Sequence, residues 1–331
     1  MGDHKLEYGR ILDYRDELLR SNPGSTCVVK LSEETFEGGK KQFVGFYICF
    51  DAIKKSYLAG CRPCIGLDGY FLKGVCKGQL LVAVCKDGNN QMLPLAWAVV
   101  EIENQHTWRW FVSILKADLE LGDGTNLTMI TDMQKGLQNA ISDILPNFEH
   151  RMCARHILAN WSKKWRGIER RNCFWRCARS TYEWELKKNL NEMKNLGSNI
   201  VDELLYYNIE RWSKVYFNTY CKSDSVDNNM AECFNNWILA ARQKTIITML
   251  EEIRVKMMNR IAQLRQFGNT WITEFSPMAM KVLEENTERS MKCTIFWNGE
   301  FGFEVKQGMG STEVKIWWTS IGKLAPVELG C

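Results

Sequence analysis

The chain has 331 residues, 45% of them hydrophobic, with 43 Lys and Arg against 39 Asp and Glu and a formal net charge of +4. That is enough apolar material for one large core or two smaller ones. No run of about 18 apolar residues occurs, so no membrane-spanning helix is expected, and so small a net charge does not by itself point to nucleic acid. The opening MGDHKLEYGR lacks a charged-then-apolar leader, and no secretory signal is expected. The 13 cysteines are an odd number, and several sit inside apolar segments, such as Cys49 between Ile48 and Phe50. A reduced intracellular protein is expected rather than a disulfide scaffold.

Residues 5–20 read as helix, with Ile11, Tyr14 and Leu18 at helical spacing and Asn22-Pro23-Gly24 as the stop. Residues 27–31 are a short strand candidate, and 43–50 are a second apolar stretch beyond the loop at Gly38-Gly39. The segment 61–74, CRPCIGLDGYFLKG, reads as a strand carrying one acid, Asp68, between Ile65, Leu67, Tyr70 and Leu72. A carboxylate there is costly to desolvate unless a partner such as a cation holds it. The plainer alternative is that Asp68-Gly69 forms a hairpin turn.

Residues 78–86 are almost continuously apolar, as in a strand covered on both faces. The turn at 87–90 leads to a strand over 92–102, where Pro94 signals an edge or a bulge. Trp108, Phe111, Val112, Leu115 and Leu119 share a helix face. A short strand over 126–131 ends at Asp132, and a helix follows with Leu137, Ala140, Ile141, Ile144 and Leu145 on one face. Residues 148–153 form a last short strand. The order β-β-β-α-β-α-β implies an α/β fold with a mixed five-stranded sheet flanked by helices.

From 156 to about 226 the pattern is helical. Residues 151–180 hold nine Lys and Arg, including Lys163, Lys164, Arg166, Arg170 and Arg171, against Glu169 alone, with Trp161, Trp165, Phe174 and Trp175 interleaved. Such a stretch suits phosphate neutralisation and base stacking. It equally suits a helix core with a solvated charged face. A second helical run covers 230–266, and the tail offers strands at 294–297 and 301–305.

Asp68 in mid-strand, Asp132 at a strand end and Glu232 near a helix start form an acidic constellation. Each has a local alternative: Asp132 as a helix N-cap, and Glu232 as a capping-box partner of Asn229. The first strand of a meander and the first strand after a crossover are plausible sheet neighbours, which would set Asp68 beside Asp132. Three converging carboxylates repel unless divalent cations lie between them. Two Mg²⁺ (or Mn²⁺) ions would suit phosphoryl transfer.

These segments, with LPLAWAVVEIENQHTWRWF, ITDMQKGLQNAI, HRMCARHILANW and DNNMAECFNNWI, resemble the transposase core of Mutator-like elements over roughly residues 5–305. The resemblance implies a ribonuclease-H-like fold with an all-α insertion before the last catalytic residue. It implies Asp68, Asp132 and Glu232 as the catalytic and metal-binding D-D-E triad, with Cys153 and His156 beside the site. The implied organisation is a lead-in at 1–50, the core at 60–156, the insertion at 157–226, helices carrying Glu232 at 227–270 and a tail at 271–331. The implied partners are transposon ends and target DNA, with a homo-oligomer as the active form and the nucleus as location. A domesticated DNA-binding or regulatory protein without catalysis is the alternative, and a different nuclease on the same fold is a third. The family usually carries zinc-type DNA-binding modules on either side of the core, and the expectation is a chain beginning almost at the core with no such pattern at 321–331. Zinc held by Cys61, Cys64, Cys153 and His156 is a further reading, and Cys173 and Cys177 are expected to span one helical turn.

Overall fold

The structure, a computed structural model, describes residues 4–75, 77–297, 302–307, 314–319 and 324–325. Two compact units result, Met1–Gln266 and Phe267–Cys331. The first unit opens with α1 (His4–Gly9) and α2 (Ile11–Ser21), which bury Ile11 and Leu18 as their spacing predicts. The hairpin of β1 (Thr26–Phe36) and β2 (Lys40–Cys49) is followed by α3 (Asp51–Gly60). The meander β3 (Cys64–Phe71), β4 (Gln79–Lys86) and β5 (Met92–Val100) comes next. Then follow α4 (Gln105–Asp118), β6 (Thr128–Thr131), α5 (Lys135–Ile144) and β7 (Glu149–Met152).

The expected five-stranded sheet has seven strands, in the order β1-β2-β5-β4-β3-β6-β7. The two additional strands are the N-terminal hairpin, whose β2 pairs antiparallel with β5 from Gly45 opposite Val100 to Ile48 opposite Trp97. That pairing covers backbone groups that would otherwise form an open sheet edge. The sheet is mixed and flanked by helices, which is compatible with a ribonuclease-H-like fold. In β4 every side chain from Leu80 to Cys85 is fully buried, as an apolar run without alternation requires. Pro94 lies opposite Val84 beside a bulge, and β2 pairs with β5 only from Trp97 onward. Its missing N–H therefore leaves no gap on that side. The five apolar positions read from the sequence, four in α4 and Leu119 at its C-cap, are all in the core, and an Asn104–Thr107 capping box starts the helix.

The segment after β7 is helical to Leu205, with α6 (Ala154–Trp161), α7 (Ile168–Arg179), α8 (Glu183–Lys194) and α9 (Ile200–Leu205), whereas the expected helix over 206–226 is replaced by two short 3-10 turns, Ile209–Arg211 and Lys214–Tyr216, and irregular chain. It has its own apolar cluster, distinct from the sheet core. Phe174 is fully buried there, stacked on Trp212 with ring centroids 5.2 Å apart and planes at 8°. Trp161 is 3% exposed. Two of the four interleaved aromatics are thus core side chains, because helices this short are stable only when their large apolar faces are packed. Cys173 and Cys177 are buried one turn apart on α7.

The chain returns to the sheet with α10 (Asn229–Trp237) and α11 (Ile246–Gly268), which bury Met230, Ala231, Phe234, Ile246, Met249, Leu250, Ile253 and Met257 in the main core. The second unit contains α12 (Pro277–Ser290) and an antiparallel sheet of β8 (Cys293–Trp297), β9 (Gly302–Gln307), β10 (Val314–Thr319) and β11 (Leu324–Ala325). Strands β8 and β9 fall where the sequence offered them, although Phe301 lies outside the described residues. Of the tail 321–331, only 324–325 is described. No described helix is long and apolar enough to cross a membrane.

Phe174→Ala should destabilise the helical insertion by about 3–5 kcal/mol, the cost of emptying a large aromatic site. Denaturant titration followed by tryptophan fluorescence measures this, and a loss below about 1 kcal/mol would mean that the cluster is not tightly packed.

Candidate active site

Asp68 lies inside β3, paired with Val82 of β4, so Asp68-Gly69 is strand and not a hairpin turn. On its other side β3 runs parallel to β6, pairing Cys64 with Thr128, Ile65 with Met129 and Gly66 with Ile130. The same offset carried two residues further sets Asp68 level with Asp132, just past the end of β6. Asp68 is 8% exposed, and its Oδ1 accepts from the Gly69 N–H at 2.9 Å. Burial, and then the charge of Asp132, push its carboxyl up to about 7.

Asp132 is not the cap of α5. Gln134 fills that place, its side chain accepting from the Leu137 N–H. Asp132 instead accepts from the Gln134 N–H at 2.9 Å, which holds the turn between β6 and α5. Glu232 does not close a capping box with Asn229, which is already inside α10. Its carboxylate is paired with Arg155 at 3.0 Å, and the same guanidinium reaches Asp227 at 3.4 Å and the Asn229 side chain at 3.2 Å.

Helix α10 is tied to β3 at three points. Asn228 donates to the Leu67 carbonyl at 3.0 Å, the Tyr70 hydroxyl donates to the Ala231 carbonyl at 2.6 Å, and Met230 packs in the same core. Gly66 makes this approach possible, since a Cβ there would stand 2.0 Å from Asn228 Oδ1 and 2.9 Å from Met230. The charges of both Asp68 and Glu232 act on the Tyr70 hydroxyl, which burial first and those charges after it drive well above its ordinary range. Asp132 thus acts on Asp68, and Asp68 and Glu232 both act on Tyr70, while the Glu232 carboxylate itself is turned to Arg155.

His156 and Cys153 sit at the start of α6, next to these acids. Cys153 accepts from the Asn228 N–H at 3.2 Å. The hydrogen bond with Cys153, followed by the charges of Cys153, Asp68 and Asp132, raises His156 to about 9, against burial acting the other way. These influences favour its protonated form, whose charge lowers Asp68 in return, although burial opposes it and its Nδ1 has no hydrogen-bond partner. The zinc reading fails because its two halves are engaged elsewhere. The Cys61 thiol donates to the Ser56 carbonyl at 3.6 Å, while Cys64 is buried in β3 and Cys153 is taken up by the Asn228 N–H. Among the described residues, no group of three or more His, Cys, Asp or Glu side chains is arranged to hold a metal ion. Glu232 is held by Arg155 instead.

A fourth acid, Glu103, went unread in the sequence. Its Oε1 accepts from the Trp108 Nε1–H at 2.9 Å, and Gly69 leaves room for it, a Cβ there standing 2.6 Å from Oε2. Burial and the charge of Asp132 raise its carboxyl. The sequence signal was an acid placed between the end of β5 and the Asn104 cap of a helix whose first buried aromatic is Trp108.

The nine cations of 151–180 have different fates. Arg151 is fully buried, bonded to Glu149 at 3.0 Å and to the Ser223 and Asn218 carbonyls at 2.7 and 2.9 Å. Arg170 donates to the Leu196 carbonyl, Lys164 pairs with Glu203, and Lys163 bonds Asn160 at 2.8 Å. Arg176 pairs with Glu192 at 2.8 Å, and Arg179 lies over the Trp175 ring. Arg166 and Arg171 have no side-chain partner among the described residues.

Residues 64–160 match the family model of the MULE transposase domain. Over that stretch the chain is similar to this domain. The match runs from β3 to α6 and includes Asp68, Glu103, Asp132, Cys153, Arg155 and His156. A search of curated proteins finds no match. A MULE transposase domain implies a transposase-related function and, in general, DNA as partner.

Two predictions follow from this geometry. Gly66→Ala should cost about 1–3 kcal/mol, because Asn228 is fully buried and has nowhere to retreat. Thermal unfolding measures it, and an unchanged midpoint would mean that α10 does not bear on β3 there. The second concerns pH. In metal-free buffer, folded Asp68 keeps its proton to about 7 against an ordinary 3.8, so the folded chain binds more protons in that window. Stability contributed by Asp68 is then lost as pH rises through 7, by up to about 4 kcal/mol. Asp68→Asn should melt above wild type at pH 8, with the gap narrowing toward pH 5. A gap equal at both pH values would contradict the raised carboxyl.

Proposed function

We propose that this chain is the catalytic core of a D-D-E DNA transposase, in which Asp68, Asp132 and Glu232 carry metal-dependent cleavage and joining of DNA strands. The observation that carries this reading is the buried carboxyl of Asp68, kept in mid-strand beside the charge of Asp132. A structural ion pair would satisfy such a group with a cationic side chain of its own, whereas here the nearest compensation is His156.

By donor type the three carboxylates would suit a hard divalent cation once Glu232 is released from Arg155. The donor set is all carboxylate oxygen, and the mutual repulsion that raises Asp68 is what a cation would relieve. Asp68 and Asp132 would hold one Mg²⁺ or Mn²⁺ together, and Glu232 would complete the site for a second once parted from Arg155. Bound there, the ions would activate a water or 3′-hydroxyl and stabilise the leaving oxygen. The chain's own part is positional. Strand β3 keeps Asp68 out of bulk water, and the Gln134 N–H fixes the Asp132 carboxylate. Cationic His156 attracts the scissile phosphate toward the acids. Glu103, held by Trp108, lies close enough to feel the charge of Asp132. This reading carries with it the nucleus as location and a homo-oligomer as the form that joins two element ends.

Purified protein with Mn²⁺ and plasmid DNA tests this. Wild type should nick the plasmid, and Asp132→Ala should reduce nicking at least about a hundredfold while leaving DNA binding in place. Nicking that survives the substitution would reject the assignment. Binding without nicking by wild type would favour a domesticated, non-catalytic protein.

A further inference from the structure

Beside the acids, α6 and α7 border a groove of about 630 Å³ formed by Arg155, Leu158, Trp165, Arg166, Ile168 and Arg171. Its composition is unusual for a solvated face. Ile168 is 78% exposed, Leu158 lies below, and Trp165 is a preset wall, its indole N–H donating to Glu203 at 2.8 Å. No carboxylate lines the groove, while three guanidinium groups do. Arg166 and Arg171 are without side-chain partners among the described residues, and Arg155 has its guanidinium on Glu232.

Apolar wall and unpaired cations together match a ligand with flat apolar faces and an anionic backbone. Nucleotides have both, but only an unpaired base can lie against Ile168 and Trp165. A duplex would offer its phosphates alone and leave those side chains in water. The volume matches a nucleotide-sized ligand and not a double helix. We propose that this groove holds an unpaired DNA strand leading to the cut site, and that a phosphate of this strand draws Arg155 away from Glu232. The proposal rests on the strand-cutting reading for the identity of the acids.

The Arg155 side chain is 45% exposed, and its guanidinium is divided between Glu232, Asp227 and Asn229. It is therefore open to competition from a phosphate, for which Arg is a strong bidentate partner. Its departure frees the third carboxylate for a cation. Strand and cation then strengthen each other's binding, since coupling between two sites is reciprocal.

Two measurements on the full chain test this. Fluorescence anisotropy compares a labelled single strand with the duplex of the same sequence. The single strand should bind more tightly. Arg166→Ala with Arg171→Ala should lower the slope of log affinity against log salt by about 1.4, the value for two phosphate contacts on a single strand. Ile168→Glu should weaken the single strand about tenfold and the duplex little. Equal binding of duplex and single strand, or indifference to all three substitutions, would overturn the groove assignment. Calorimetry then measures Mn²⁺ binding with and without the single strand. Wild type should gain about fivefold or more in Mn²⁺ affinity from the strand. Arg155→Gln should bind Mn²⁺ without the strand as tightly as wild type does with it. Mn²⁺ binding that ignores the strand would overturn the Arg155 exchange alone. Absence of Mn²⁺ binding in both wild type and Arg155→Gln would instead remove the metal-dependent reading beneath it.

Discussion

The burial of Asp68 beside Asp132 is the constraint on which the site in the first unit depends. Parallel pairing of β3 with β6 leaves the two acids level, and burial denies Asp68 the water that would ease the conflict. Cation charge answers it from outside the sheet. His156 supplies one share at the start of α6. Arg155, one residue earlier, holds the third acid. The Cys-Ala-Arg-His box thus brings two cations to the acids on one helical turn, and the Cys153 thiol joins it to α10 through the Asn228 N–H.

Much of the sheet was readable because its strands are buried on both faces and leave little ambiguity in an apolar run. β4, β5 and α4 fell where continuous or 3.6-periodic apolar patterns put them. The neighbour relation of β3 and β6 followed from topology alone. The hairpin of β1 and β2 was seen as strand-like stretches, but its pairing with β5 is a long-range contact with no local signature. Helix α3 was missed because it buries only Ile53 and Tyr57, a single i, i+4 pair.

At the site, the positions of Asp68, Asp132 and Glu232 along the chain were legible, and their partners were not. Asp-Gly is a turn signal and N-x-x-E is a cap signal, and each was outweighed by tertiary contacts: Val82 across the strand from Asp68, and Arg155 on Glu232. Glu103 escaped notice because it sits between elements, where an acid is ordinarily solvent-exposed. The basic stretch was legible as charge but not as function. Arg151 and Arg170 spend their donors on backbone carbonyls, a role that composition cannot distinguish from phosphate binding.

Arg151 has one more implication. It fastens residues 218 and 223 to β7, while the Ala154 N–H meets the Val226 carbonyl at 2.9 Å. Entry and exit of the helical excursion are thereby stapled side by side at its root. The intervening helices form a cassette on a closed stem, and evolution or design could lengthen, shorten or exchange it without dragging Glu232 from its place over the sheet.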